Sequence, residues 1–362
     1  MKKKKEMKAA LAEISSKIDD IDLNTCRYVI WGAGNTASLC QESFRRHNID
    51  PLCYIDGNVE KQKTLFHGHR VRSPDDIDSM GGPLVLISSG NVGFTEEIRT
   101  KLNKKGLRNI TVDEYFFGKN ADRLIRIADM LHDAESVNVF CSMILNRLNN
   151  KFPDAGIISD NPYFILPNFR KISAGDVFVN MGAYIGEEIE KYLEYCDGKD
   201  FGKIISFEPD ANNFAELKSL VKKMNKKWNI EEGKIQNVMA AVSDATKTSS
   251  FRSGQGPHSS IGDSDIDGSS VNVYALDDFM PNGKIDLLKA DIESFELKML
   301  HGARNVIRRN APKIAVCIYH SPADYFDIID YLDGLNIGYK FSVRHHLDTF
   351  SETILYAYTE EK

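Results

Sequence analysis

The sequence predicts an α/β protein that folds as two parallel-sheet domains. Along most of its 362 residues, short apolar runs alternate with helix-length segments, and this alternation is typical of parallel sheets covered by helices. The chain is also longer than most single domains. Two apolar runs lead directly into glycine-containing turns, near residues 32 and 182, and each begins its own series of strands. We therefore divide the chain into two domains.

Composition limits the partners that the chain can have. The net charge is -6, so a broad nucleic-acid-binding face is not expected, because phosphate binding draws on clustered excess Lys and Arg. The six cysteines are scattered without a CxxC pair, and neither a zinc cluster nor a disulfide framework is indicated. We expect no nucleic-acid partner, no metal site and a reducing, cytoplasmic location.

Residues 1–23 predict an amphipathic N-terminal helix. A basic start, Lys2 to Lys5, is followed by mixed apolar and charged residues rather than by the continuous apolar core of a signal peptide. No apolar run in the sequence approaches the length needed to span a membrane. We interpret this segment as a solvated helix leading into the first domain rather than as a membrane anchor.

The first domain, residues 24–118, has the pattern of a Rossmann-like nucleotide-binding fold. A strand runs into Gly32-x-Gly34-x-x-Ala37, and a helix is expected over residues 36–46. Asp56 ends the next strand, at the distance where a dinucleotide fold places its ribose-binding acid. Gly32, Gly34 and Asp56 are therefore predicted to bind a nucleotide or nucleotide sugar. Because no hydride-transfer residues follow them, we favour binding without reaction.

Three short motifs of this domain, Trp31-Gly-Ala-Gly34, Tyr54-Ile-Asp56 and Val71-x-Ser73-Pro74, resemble those of small Rossmann-like domains. Such domains precede catalytic modules in surface-polysaccharide and sugar-modifying enzymes. The resemblance covers about a quarter of the chain.

A helical connector is predicted over residues 119–170. Apolar residues recur at helical spacing over residues 121–131 and 136–148, which indicates two helices. The irregular segment that follows contains Tyr163, Phe164 and Phe169. We interpret these aromatic residues as packing against the sheet, with coverage of a ligand pocket as the alternative.

The second domain, residues 171–362, opens with a buried strand and a glycine turn. The turn contains Gly182, Ala183 and Gly186, and small residues there permit close backbone approach to a nucleotide-like ligand. Glu208 ends the next strand, where its carboxylate can accept hydrogen bonds from both ribose hydroxyls. The alternative is that the small residues serve only tight packing of a helix on the sheet.

A third strand is predicted over residues 235–242, and Ser243 and Asp244 follow it. We place these two residues at the same sheet edge, beside an adenine ring, with a simple strand-end turn as the alternative. The Gly- and Ser-rich residues 249–270 are interpreted as a loop or hairpin insertion.

Ionisable residues gather at the carboxyl ends of the next strands, which are predicted over residues 285–291 and 313–320. Such groups are costly at a strand end unless they are paired or solvated, and they are often functional. We predict Asp291 and His320 as candidate bases. The other residues assigned to this edge are Lys289 in catalysis and Glu293, Glu296, Arg344 and His345 in substrate binding. The alternative is a structural ion-pair network.

The final elements are a helix over residues 322–335 and two strands over residues 339–346 and 353–359. The two strands are close enough in sequence to form a hairpin, which gives a seven-stranded sheet with an antiparallel member. That arrangement is the layout of S-adenosylmethionine-dependent methyltransferases.

Five motifs carry a more specific resemblance over residues 120–362. They are Val179-Asn-Met-Gly-Ala-Tyr-Ile-Gly186, Phe207-Glu-Pro-Asp210, Leu276-Asp-Asp278, Leu288-Lys-Ala-Asp-Ile-Glu-Ser-Phe-Glu296 and Leu300-His-Gly-Ala303. With these motifs the sequence resembles the FkbM family of methyltransferases. The resemblance implies a class I methyltransferase fold, S-adenosylmethionine as cofactor, and methyl transfer, usually to oxygen, on a sugar or another small natural product.

The chain departs from the family pattern at two positions. The family usually has Asp where this sequence has Asn180, and Gly where it has Ser294. Asn180, at a cofactor-binding position by this resemblance, keeps an acceptor but loses the charge, which predicts weaker cofactor binding. Ser294 adds a side chain where the family's backbone turns.

Three hypotheses follow. The leading one is an S-adenosylmethionine-dependent O-methyltransferase that acts on a saccharide, glycan precursor or related small molecule. The second is a nicotinamide-dependent sugar oxidoreductase that uses the N-terminal domain. The third is a non-catalytic nucleotide-sugar-binding protein that has kept the methyltransferase fold.

Overall fold

The computed structural model describes residues 2–197, 201–252, 260–262 and 270–360. They belong to two compact units. The N-terminal unit comprises Met1–Ile158, Ile318–Asp327 and Leu347–Thr353, and the C-terminal unit comprises Ser159–Cys317, Ile328–His346 and Ile354–Lys362. Within the predicted loop or hairpin insertion, residues 253–259 and 263–269 lie outside the described residues.

A six-stranded sheet organises the N-terminal unit. Its strands are β1 (Tyr28–Trp31), β2 (Tyr54–Ile55), β3 (Leu65–Phe66), β4 (His69–Arg72), β5 (Leu84–Ile87) and β6 (Asn109–Thr111). The strand order is β3-β4-β2-β1-β5-β6. β1 pairs in parallel with β2 and β5, whereas β3 and β4 form an antiparallel pair. All four residues of β1 are buried, as expected for the centre of a parallel sheet.

Seven α-helices accompany this sheet among the described residues. They are α1 (Lys2–Lys17), α2 (Asn35–Leu39), α3 (Gln41–Arg46), α4 (Val92–Lys104), α5 (Val112–Lys119), α6 (Ala121–Met130) and α7 (Ala134–Leu148). The predicted amphipathic helix is confirmed as α1, which buries Met7, Leu11 and Ile14 on one face. The two helices predicted for the connector are also confirmed, as α6 and α7. The single helix predicted over residues 36–46 is wrong, because α2 and α3 are separated at Cys40.

The C-terminal unit contains two sheets. In chain order the remaining strands are β7 (Val177–Met181), β8 (Lys203–Phe207), β9 (Ile235–Val238), β10 (Ala241–Val242), β11 (Lys247–Arg252), β12 (Ser260–Gly262), β13 (Ser270–Tyr274), β14 (Leu287–Ala290), β15 (Lys313–Cys317), β16 (Lys340–His345) and β17 (Thr353–Tyr358). The larger sheet has the order β16-β17-β15-β14-β7-β8-β9, and the smaller one has the order β10-β13-β11-β12.

The predicted seven-stranded sheet with an antiparallel member is confirmed. β7 lies near its centre and pairs in parallel with β8 and β14. β15 continues the parallel series, and β17 then pairs with β15 in the antiparallel direction. The carboxyl ends of β7, β8 and β14 therefore share one edge of the sheet, where ligands of open α/β sheets bind.

The strand predicted over residues 235–242 is wrong. The chain leaves the large sheet after Val238, and a short turn closed by the Ala240 amide on the Val238 carbonyl oxygen separates β9 from β10. β10 then pairs with β13 in the smaller sheet. The continuous apolar run over residues 238–242 concealed a change of sheet.

The remaining helices begin in the aromatic segment before β7. They are α8 (Pro167–Arg170), α9 (Glu187–Tyr195), α10 (Ala211–Trp228), α11 (Leu276–Phe279), α12 (Glu296–Gly302), α13 (Arg304–Asn310) and α14 (Asp324–Gly334). α10 begins as the sequence predicts, because the Asp210 carboxylate accepts the Asn212 and Asn213 amides at 2.9 and 3.1 Å. Within the described ranges, none of the helices combines the length and apolar character that crossing a membrane requires.

Candidate functional site

The glycine turn after β7 brings three strand ends together. The amides of Gly182 and Ala183 both donate to the Phe207 carbonyl oxygen at the end of β8, at 3.1 and 3.0 Å. Gly182 has a φ of 72°, and a Cβ at this position would overlap the Asp291 carbonyl oxygen beyond β14. Glycine is therefore required both for the left-handed backbone and for the approach of the two chain segments.

Gly186 has a different role from Gly182. It precedes α9 with a φ of 99°, and a Cβ there would lie 2.8 Å from the Leu217 Cδ1 atom of α10. Close packing of the two helices is enough to require a glycine. At Gly186 the structure thus provides the packing explanation that the sequence left open, and its contact with a cofactor stays a prediction.

The Glu208 carboxylate is fixed at the end of β8. One oxygen accepts the Tyr184 amide of the glycine turn at 2.9 Å, and the other accepts the Asp210 amide at 3.0 Å and the Asn213 side-chain amide at 3.3 Å. The side chain is buried, and this desolvation raises the pKa of the Glu208 carboxyl group. These donors use three of the about four lone pairs of the carboxylate, so Oε2 can still accept a further donor.

A row of polar residues crosses the middle of the large sheet. Asn180 of β7 stands in register with Lys289 of β14 on one side and with Ser206 of β8 on the other. Asn180 and Ser206 are completely buried, and their side-chain polar atoms have no hydrogen-bond partner among the residues that the structure describes. Orphaned buried amides are costly and call for a ligand or bound water. Sequence reasoning identified Asn180 and Lys289 but missed Ser206.

Lys289 supports the glycine turn through a hydrogen bond. It lies within β14, not at the strand end where the sequence had placed it, and only 2% of the residue is exposed. Its ammonium donates to the Gly182 carbonyl oxygen at 2.7 Å and lies 4.9 Å from the centre of the Tyr163 ring. These contacts give Lys289 a supporting role at the glycine turn, and its predicted part in catalysis stays a prediction.

Asp291 follows β14 and is oriented by a tyrosine. Its amide donates to the Met181 carbonyl oxygen at 3.1 Å, and its Oδ2 atom accepts the Tyr163 hydroxyl at 2.9 Å. Tyr163 is buried and has a φ of 66°, which a non-glycine residue adopts at a cost. The packing role predicted for the aromatic segment is confirmed for Phe164 and Phe169. For Tyr163 it is incomplete, because this phenol also bonds a candidate base.

Glu293 and Ser294 form a strained turn before α12. Their φ values are 54° and 77°, so the helix that the sequence begins near Glu293 starts instead at Glu296. The Glu296 carboxylate is buried and accepts the Ile292 amide at 2.8 Å, which closes the turn. The glycine that the family has at position 294 suits this left-handed backbone.

We expect Ser294→Gly to stabilise the protein by about 0.5 to 1 kcal/mol. The left-handed backbone costs an L-residue about 1 to 2 kcal/mol. This cost exceeds the free-energy cost of the additional backbone entropy that glycine loses on folding. The Ser294 hydroxyl is buried and has no partner among the described residues, so its removal breaks no hydrogen bond. Urea unfolding measures the change. Ser219→Gly, within exposed α10, is the control and should destabilise; a destabilising Ser294→Gly would contradict the expectation.

The structure does not bring all the predicted acceptor residues together. Arg344 and His345 are buried in β16, and two strands, β17 and β15, separate β16 from β14 in the sheet. At about 4.8 Å per strand, the backbones of β16 and β14 are roughly 14 Å apart. A shared substrate site for these residues and Asp291 is therefore not supported. His320 is buried three residues beyond β15, and its role as a base stays a prediction.

Ser243 and Asp244 follow β10 of the smaller sheet rather than a strand of the large one. The Ser243 amide donates to the Tyr274 carbonyl oxygen at 3.0 Å, and the Ser243 hydroxyl donates to Asp244 at 3.0 Å. A Cβ on Gly302 of α12 would overlap the Ser243 carbonyl oxygen. These contacts favour the strand-end turn over an adenine-binding role.

In the N-terminal unit, a lysine occupies the predicted nucleotide site. Gly32 is needed at its turn, since its φ is 119° and a Cβ would overlap the Ser88 carbonyl oxygen. Asp56 accepts the Ala33 amide at 3.0 Å and the Lys61 ammonium at 3.1 Å. Lys61 also donates to the Ala33 carbonyl oxygen at 2.7 Å and stands beside Gly34. Sequence reasoning missed Lys61, which begins a short 3-10 helix, Lys61–Lys63, in a polar stretch without a distinctive motif.

Comparisons with family models agree with the two-part organisation of the motifs. A model described as the methyltransferase FkbM domain matches residues 180–341. A second, described as C2185-like, N-terminal, matches residues 24–113. No curated protein matches the chain.

Solved structures extend the comparison to the fold. The chain is similar to methyltransferase FkbM from Methylobacillus flagellatus KT, with a TM-score of 0.59 and 18% identity, over 97% of this chain and 99% of that one. It is also similar to a putative rRNA methylase from Clostridium thermocellum, with a TM-score of 0.34 and 9% identity, over 51% of this chain and 87% of that one. The first likeness shows that nearly the whole chain shares an overall fold with a solved protein.

Proposed function

We propose that the chain is a methyltransferase, because residues 180–341 match the model of the methyltransferase FkbM domain, and that it uses S-adenosylmethionine to methylate oxygen on a small acceptor. We propose a saccharide, a glycan precursor or a related natural product as the acceptor class. The FkbM resemblance supports this class, as does the likeness of the N-terminal motifs to those of sugar-modifying enzymes.

The fixed Glu208 carboxylate carries the cofactor proposal. Its two oxygens are held between the glycine turn and the start of α10, so the carboxylate is already oriented at the carboxyl edge of the sheet. A ribose diol provides two adjacent hydroxyl donors; one suits the remaining lone pair of Oε2, and the other can replace the long 3.3 Å bond from Asn213 on Oε1. The orphaned, buried amide of Asn180 lies on β7, which leads into the same turn, and is a second polar group suited to the cofactor. We assign cofactor binding to Asn180, Gly182, Ala183 and Glu208.

Asp291 is the proposed proton acceptor. S-adenosylmethionine supplies a methyl group that is already electrophilic, so the protein needs mainly to align the acceptor hydroxyl and to take up its proton. The Tyr163 hydroxyl donates to Oδ2 of Asp291 at 2.9 Å and so orients the carboxylate. Lys289 supports the arrangement by fixing the glycine turn through the Gly182 carbonyl oxygen.

We expect Glu208→Ala to weaken the binding of S-adenosylmethionine or its demethylated product by about 1.5 to 3 kcal/mol, the usual range for the loss of hydrogen bonds to a charged group. Isothermal titration calorimetry measures the affinity. Glu216→Ala is the matched control, because Glu216 is an exposed acid on the neighbouring helix α10. A Glu208→Ala protein that melts normally and binds with the affinity of the unmodified protein would remove the basis of the proposal.

A further inference from the structure

The N-terminal unit has a surface cavity lined by residues other than Gly32, Gly34 and Asp56. Its volume is about 480 Å³, which is within the range of small-molecule sites. The β3–β4 hairpin and the loop before it form most of the lining, and Ser73 and Asp76 close it. Asp56 touches the same region only through its backbone, by donating its amide to the Arg72 carbonyl oxygen.

Two arginines of β4 line this cavity. Arg70 and Arg72 are two residues apart on one strand, so their side chains leave the same face. Both are exposed, and in the part of the chain that the structure describes neither side chain makes a hydrogen bond or an ion pair. Other arginines of the unit bond to carboxylates, as in Arg45–Glu42, Arg46–Asp327, Arg99–Glu114, Arg108–Asp20, Arg123–Asp327 and Arg147–Asp113.

The charges around the cavity favour an anion. Lys63 joins the two arginines in the lining, and Asp76 is the acid among the lining residues. Lys63 is bonded to Glu60 at 3.1 Å, which leaves the two guanidinium groups as the available cations. A guanidinium group presents a planar fork of donors that matches phosphate oxygens. Successive side chains on one face of a strand are about 7 Å apart, so each arginine can take one of two linked phosphate groups.

We propose that this cavity binds a small molecule that carries a pyrophosphate, with Arg70 and Arg72 as its principal ligands. The ligand of the N-terminal unit thus binds beside β4 and not on the turn at Gly32 and Gly34, where Lys61 already joins Asp56 to the Ala33 carbonyl oxygen. This site goes beyond methyl transfer and does not depend on it.

Calorimetric titration of the full chain with inorganic pyrophosphate at low salt tests the proposal. Arg70→Gln and Arg72→Gln should each weaken binding about 10-fold or more, and the double variant should bind no pyrophosphate. Arg27→Gln, which removes another exposed arginine of the same unit, should leave binding unchanged. Affinity should fall as salt is raised, because exposed charges are screened. Equal binding by the double variant, or no binding by the unmodified chain at millimolar pyrophosphate, would overturn the proposal.

Two further arms identify the ligand and its place. Succinate tests carboxylates, and binding of succinate more tightly than pyrophosphate would reject the phosphate chemistry. Lys61→Met tests whether the turn at Gly32 and Gly34 is the binding site instead. If Lys61→Met still binds pyrophosphate, the result supports the β4 cavity. If Lys61→Met loses pyrophosphate binding while both arginine variants keep it, the ligand binds on the turn and the proposal is wrong. Thermal melting of each variant shows that the fold is kept.

Discussion

Asp291→Asn is expected to lower the rate of methyl transfer by roughly 100-fold or more while leaving cofactor affinity unchanged. Asparagine keeps the size of the side chain and can still accept the Tyr163 hydroxyl, which lies 2.9 Å from Asp291, but it is far too weakly basic to take a proton. Single-turnover rates on an identified acceptor, together with calorimetric cofactor affinity, separate the two effects. Asp286→Asn changes an acid just before the start of the same strand and should leave the rate unchanged.

Two companion variants locate the base. Tyr163→Phe removes the phenol that orients Asp291 and should reduce the rate less than Asp291→Asn does, with a shifted pH profile. His320→Ala tests the second candidate that the sequence provided. If Asp291→Asn and His320→Ala both fold, bind cofactor and turn over at full rate, neither residue is the base and alignment alone must carry the reaction.

Gly182→Ala is expected to destabilise the C-terminal unit by about 2 to 5 kcal/mol. The added methyl group would overlap the Asp291 carbonyl oxygen, and overpacking of this kind usually costs about 1 to 3 kcal/mol. The left-handed backbone at a φ of 72° adds about 1 to 2 kcal/mol for any L-residue. Urea unfolding of the variant measures the sum.

Gly175→Ala isolates the backbone contribution. Gly175 lies just before β7 with a φ of 84°, and a Cβ there would meet no atom within 4 Å. This variant should therefore lose only the cost of the left-handed backbone, about 1 to 2 kcal/mol. Equal losses in the two variants would mean that the contact between the glycine turn and Asp291 does not require a glycine.

Local signals in the sequence were enough to predict the large sheet and the turn beside Glu208. The signals are a buried strand, a glycine turn and an acid at the end of the next strand, all within about thirty residues. Parallel pairing of the two strands places the turn and the acid at the same edge of the sheet. The strand boundaries were harder. Residues 235–242 are apolar enough for one strand, and only the pairing of β10 with β13 shows that the chain changes sheets.

Contacts distant in sequence were beyond prediction. Tyr163 and Asp291 are 128 residues apart, and an aromatic residue in a loop gives no sign of its hydrogen-bond partner. The row formed by Lys289, Asn180 and Ser206 depends on the register of three strands, which a pattern of apolar residues does not determine. Lys61 was missed for the same reason, since its bond to Asp56 arises from the path of a loop.

The N-terminal unit is not a continuous stretch of chain. Besides Met1–Ile158 it includes Ile318–Asp327 and Leu347–Thr353. Most strands of the large sheet lie, in sequence, between these segments. During synthesis, the first 158 residues must therefore wait for almost two hundred more before their unit is complete. Tyr325 is one residue of this unit that is synthesised late. Its buried ring packs on Phe117 of α5 and Phe140 of α7. Because the chain passes between the two units several times, a single proteolytic cut cannot separate them. A chimera that exchanges only Met1–Ile158 would replace Phe117 and Phe140 but not Tyr325, and these aromatic contacts would be lost.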